Sequence, residues 1–166
     1  MLLEFIFYSI AFFPLITRGI LCLNFPKEMK DILSKEELDK ESHRTHILTL
    51  AGFSFSGLLA IVVLDVALRQ DFHFAIYYLL MSFLGYLVAL NLQGYKARRW
   101  EDQLATAFMD IASLCLILSV LSILNSQKFS PDFAHALSIL AISIWLTDHW
   151  LRLRFQWKYL KEKGGK

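Results

Sequence analysis

Residues 104–124 read LATAFMDIASLCLILSVLSIL, a run in which Asp110 is the single charged side chain. At 1.5 Å per residue the run makes about 31 Å of helix, the thickness of a bilayer's hydrocarbon core. Backbone groups inside lipid find no water, so a run of this kind must be helical. Its carboxylate would cost a few kcal/mol if it faced lipid. Asp110 therefore faces protein or water.

Four more apolar blocks flank this one, at 2–23, 47–68, 72–95 and 133–151. The composition agrees: 56% of the chain is hydrophobic and 19% charged, against about half and a quarter in ordinary soluble domains. The sequence thus predicts an all-α integral membrane helical bundle, with one membrane domain covering 1–166. Four of the blocks are expected to be transmembrane helices, joined by tight turns at 69–71 and 125–132. The first block, broken by Pro14 and Arg18, is expected to be a kinked span or a re-entrant helix. Glu4 and the lack of a small-residue cleavage site argue against a secretory signal. Arg18, near the end of its block, is expected to snorkel to the headgroups.

The basic residues set the orientation, because Lys and Arg collect in cytoplasmic loops. Residues 24–46 hold Lys27, Lys30, Lys35, Lys40 and Arg44; residues 96–103 hold Lys96, Arg98 and Arg99; the tail 152–166 holds six more. The other two turns hold only Arg69 and Lys128. The C-terminus is therefore expected in the cytoplasm and the N-terminus outside, in a bacterial or archaeal cytoplasmic membrane. Trp100, Trp150, Trp157 and Tyr95 would mark the inner interface. A formal charge of +2 is too small for a nucleic-acid partner.

Motifs that name a reaction are missing. Cys22 and Cys115 fit no disulfide framework or metal spacing, and there is no phosphate loop, nucleophile elbow or zinc-protease signature. No enzyme, cofactor or metal site is expected. The five histidines, His43, His46, His73, His135 and His149, fall at span ends, where interfacial hydrogen bonding is their ordinary use. Residues 24–46 form the one sizeable polar stretch besides the tail. Asn24 with Pro26, and Ser34 with Glu37, suggest two helix starts. Met29, Ile32, Leu33 and Leu38 then make a thin apolar stripe able to dock a soluble cytoplasmic partner.

Small residues mark packing faces. Gly52, Ser56 and Ala60 recur at intervals of four, and Gly85 shares a side with Ala75, Ser82 and Ala89. Seams left over after packing within the chain would make a homo-oligomer. Asp110 shares a helical stripe with Gln103, Thr106 and Ser113. At the same depth lie Asn91, Asp148 and His149, while Asp65 sits at the opposite end of its span. Asp148 and Arg152, four apart, are expected to pair. The stripe has two readings: a wet vestibule for an ion, or a set of hydrogen bonds holding the bundle together.

The stretch HRTHILTLAGFSFSGLLAIVVLD, residues 43–65, resembles the pore-lining first helix of Orai calcium channels at Arg44, Thr45, Gly52 and Phe53. Aligning the glycines takes a one-residue shift, and the selectivity glutamate of that family has no counterpart here. The resemblance implies that the second span could line a pore. Two functions are therefore expected. One is a homo-oligomeric pore or ion-conducting element with a cytoplasmic vestibule. The other is a non-conducting sensor or anchor subunit that docks a soluble partner, as in two-component or phage-defence systems.

Overall fold

The computed structural model describes residues 2–31, 40–64, 72–94, 98–126 and 131–164, and every regular element among them is helical. Five α-helices follow one another: α1 (Leu2–Asn24), α2 (Lys40–Val62), α3 (His73–Gly94), α4 (Arg99–Ser126) and α5 (Pro131–Gly164). A single 3-10 turn, Glu28–Lys30, follows α1. Three of the helices are long and apolar enough to cross a membrane, over Arg44–Val62, His73–Gln93 and Arg99–Asn125. Their outward faces carry large apolar side chains, among them Phe53, Phe55, Phe74, Leu84 and Leu87. Water would penalise such a surface and lipid would not.

Helix α4 is the hub, packed against α3 most extensively and also against α1, α5 and the 3-10 turn. Its start is fixed locally. Glu101, three residues in, accepts a 2.7 Å bond from the Arg98 backbone N–H, one half of a capping box. The Arg99 N–H donates to the Asp31 carbonyl at 3.1 Å, which ties the segment after α1 to the first turn of α4. Helix α5 opens on Pro131, whose missing N–H costs nothing in a first turn.

Ile47 and Ala51 of α2, Tyr86 and Ala89 of α3, and Met109 and Ala112 of α4 form one core. Gly85 lets α3 and α4 meet closely: a Cβ there would stand 3.0 Å from the Ala112 methyl. Toward the other end, Ile61, Ala75 and Leu79 form a second cluster. The Ser54 and Ser82 hydroxyls bond across α2 and α3 at 3.0 Å. Leu21, Met29 and Leu160 form a third cluster that fastens α5 to α1 and the turn.

Several expectations change. Gly52, Ser56 and Ala60 are exposed, and a Cβ at Gly52 would meet nothing within 4 Å. Within this chain α2 packs through Ile47, Ala51, Ser54 and Ile61 instead. The reason is rotational: Ile47, Ala51, Ser54 and Ile61 lie on one side of the helix and Gly52, Ser56 and Ala60 on the other, and the spacing of small residues alone does not say which side meets α3. Asn24 starts no helix; it closes α1, donating from its side chain to the Ile20 carbonyl at 2.8 Å. Met29 is 3% exposed and packed inward, so it cannot dock a partner. Ile32, Leu33 and Leu38, like Ser34, Glu37 and Asp65, lie outside the described residues. The basic tail continues α5 as helix to Gly164, since Arg, Lys, Leu and Gln all favour helix once it has begun.

Candidate functional site: a buried charged clamp on Asp110

Asp110 lies two-fifths of the way along α4, 1% exposed, with three basic side chains on its carboxylate. His149 of α5 approaches Oδ2 through Nδ1 at 2.8 Å. Arg152, one turn further on, places Nη2 3.0 Å from Oδ1. Arg18 of α1 stands with Nη2 3.7 Å from Oδ2. The carboxylate thereby joins three helices. Even its backbone is used: the Trp145 indole N–H donates to the Asp110 carbonyl at 3.0 Å.

The second ring of contacts holds the first in place. Arg18 donates through Nη1 to Gln103 Oε1 at 2.7 Å and to Gln156 Oε1. Arg152 also donates to Asp148, the pair expected from their spacing. His149 is fully buried between the rings of Trp145, stacked at 5.8 Å, and Phe13, tilted at 5.5 Å. Its Nε2 lies 3.0 Å from the Thr17 hydroxyl. Thr17 in turn donates toward the Phe13 or Pro14 carbonyl, at 3.0 and 3.1 Å.

In charge terms two guanidiniums meet two carboxylates, Asp110 and the exposed Asp148, so the array balances with a neutral imidazole. Some bonding capacity is left over. Nε and Nη2 of Arg18 and Nε of Arg152 are buried without a hydrogen-bond partner. At 3.7 Å the Arg18–Asp110 contact is a charge contact and too long for a hydrogen bond. A buried carboxylate needs this much company, because desolvating a charge costs several kcal/mol before any partner compensates it.

The order carboxylate, imidazole, hydroxyl can also pass a proton. The Thr17 hydroxyl has one proton, so it either donates to Nε2 or accepts there while donating to the Phe13 or Pro14 carbonyl. Each link nevertheless spans two helices, which is the geometry of a fastening.

The polar stripe expected on α4 divides. Gln103 joins the clamp, whereas Thr106 bonds its own helix at the Asp102 carbonyl, 2.8 Å away. Ser113 turns to α3 and the Tyr86 hydroxyl at 3.0 Å. Asn91 is exposed on α3 and stands apart from the clamp. Asp148 and His149 come together with Asp110 through Arg152 and directly. Arg18 is the residue that sequence reasoning sent elsewhere: it is 2% exposed and reaches inward, not to headgroups. The signal was available, since an Arg and an Asp that both lie inside apolar runs seek each other. Among the described residues no group of three His, Cys, Asp or Glu can hold a metal ion. Comparison with family models, with curated proteins and with solved structures finds no match to this chain.

Proposed function

We propose that this chain is a non-conducting membrane subunit whose charged clamp fixes α1, α4 and α5, and whose basic end offers a platform to a soluble cytoplasmic partner. In this reading all five helices span, the N-terminus is outside and the basic end is cytoplasmic. The observation that carries it is the pairing of Asp110. A carboxylate 1% exposed and engaged by Arg18, His149 and Arg152 serves the bundle better than it serves a passing cation. The platform is the exposed set Lys27, Lys30 and Arg98, whose field would steer an acidic partner.

A second reading keeps the pore. The uncovered Gly52–Ser56–Ala60 face of α2 admits the close approach of another copy, and a ring built on that face would set an axial path beside α2 rather than through Asp110. Ion flux into liposomes holding the full-length protein tests both. The subunit reading expects no flux above that of empty liposomes, with Asp110→Asn making no difference. Flux that changes in Asp110→Asn while assembly size stays the same would overturn it in favour of the vestibule. Flux that changes only in Gly52→Leu would favour the ring on α2.

A further inference from the structure

The C-terminal part of α5 carries a face that the clamp does not use. Trp150, Leu153, Arg154, Trp157, Lys158 and Lys161 line an open groove of about 570 Å³. Their spacings of three, four and seven put them along one side of the helix. Three cations stand in the lining and no carboxylate does. Trp150 is 59% exposed; Trp157 is 40% exposed and meets the Phe25 ring edge-on at 5.2 Å, so both indoles reach the outer surface and Trp157 is also braced against the segment after α1. Lys158 has Glu162 at 4.0 Å, both exposed, a pair of little strength.

The depth of this face follows from the contacts of Arg18, taking α5 as a span in accord with the proposed function. Arg18 bonds both Gln103 and Gln156, so Gln156 lies near the depth of Gln103, the residue that precedes the apolar run 104–124. Trp150 then stands about two turns inside the hydrocarbon boundary, and Arg154 stands at it. The headgroup layer occupies roughly the next 5–7 Å, about four residues of helix, which brings Lys158 to phosphate level. Arg154 and Lys161 reach that level from either side by virtue of their long stems.

We propose that this groove binds one anionic phospholipid. The Arg154 fork, reaching outward, and the Lys158 ammonium hold its phosphate, Lys161 adds to the attraction, and an acyl chain lies along Trp150 and Leu153 with Trp157 at the level of the glycerol. Arg suits a phosphate because its planar donors meet two oxygens at once. A zwitterionic lipid is disfavoured, since its choline would sit among three cations. Indoles alone could attract choline through their π faces, but here the cations interleave them.

The test uses full-length protein in phosphatidylcholine vesicles, with spin-labelled phosphatidylglycerol or spin-labelled phosphatidylcholine as the probe of immobilised lipid. Wild-type protein should retain phosphatidylglycerol about fivefold or more over phosphatidylcholine, in line with the attraction each interfacial cation supplies. The variant R154Q/K158Q/K161Q should bring the two lipids close to equality, and R154Q alone should give part of that loss. A control that removes as many charges elsewhere on the basic end, K27Q/K30Q/R98Q, should keep the preference. Equal retention of both lipids by wild type, or an equal loss in the control, would overturn the site. Displacement of the probe by glycerol phosphate would assign the groove to a soluble anion, and displacement by polyglutamate to an acidic protein; either result overturns the lipid assignment. None of these readouts depends on ion flux, so they stand or fall apart from the subunit reading.

Discussion

At the scale of residues, the clamp obeys an asymmetry between breaking an ion pair and replacing it. Asp110→Leu leaves the buried Arg18 without a counter-charge and Arg152 with Asp148 alone, and losing one partner of a buried pair costs about 3–5 kcal/mol. We expect that variant to unfold at markedly lower temperature, in detergent held constant, than wild type. Asp110→Asn keeps an acceptor for His149 and should lose less. The double variant R18M/D110L should lose less than the two single changes added together, because apolar groups satisfy each other where a lone charge cannot; an additive result would mean that the two residues are not coupled. The sequence singled out Asp110 and His149 because polar groups inside apolar runs stand out by contrast. It left Arg18 among the headgroups because helical periodicity ranks faces within one helix and is silent about which helix lies next to it.

At the scale of elements, two glycines separate packed from open surface. Gly85→Leu drives a side chain into Ala112 and the Phe108 carbonyl, and should destabilise the bundle by about 1–3 kcal/mol. Gly52→Leu adds its side chain to open space and should leave thermal stability within about 0.5 kcal/mol of wild type. The same change lowers assembly size in gel filtration or light scattering if copies meet on that face. Leu160→Ala probes the other end of the molecule, where it empties the cluster of Leu21 and Met29 at about 2–5 kcal/mol. A smaller loss would show that the C-terminal turns of α5 are detached from α1 in solution. Helix positions were legible because hydropathy is read block by block, and α3 came within a residue of expectation at each end. The ends of α2 and α5 were not, since Lys40 to His46 and Arg152 to Gly164 are polar yet extend a helix already nucleated.

At the scale of the whole molecule, the basic end orders the rest. Cations from the segment after α1, from the start of α4 and from the end of α5 belong to it, so one topology puts them all on one side of a membrane. Cysteine introduced at Ser34 should resist an impermeant external reagent in intact cells and react once the membrane is opened. Reaction in intact cells would reverse the orientation. The clustering was visible in the sequence as a count of Lys and Arg. The inward turn of Met29 was not, because an apolar residue in a polar segment reads the same whether it covers its own chain or a partner.

The clamp also sets an order of assembly during synthesis. Arg18 leaves the ribosome with the first helix, but the groups that hold it lie 85 residues away at Gln103 and 138 away at Gln156. Thr17 waits still longer than Asp110 does for the same ring, His149, which is 132 residues downstream of one and 39 of the other. At translation rates of about 5–20 residues per second, the first helix waits roughly 4–17 s for Gln103 and roughly 7–28 s for Gln156. Under the proposed topology α1 meanwhile carries a cation that lipid rejects, so its place beside α4 and α5 is complete only after the last helix has been made. The N-terminal helix is thus the last to settle, and the closing of the clamp marks the completion of the chain.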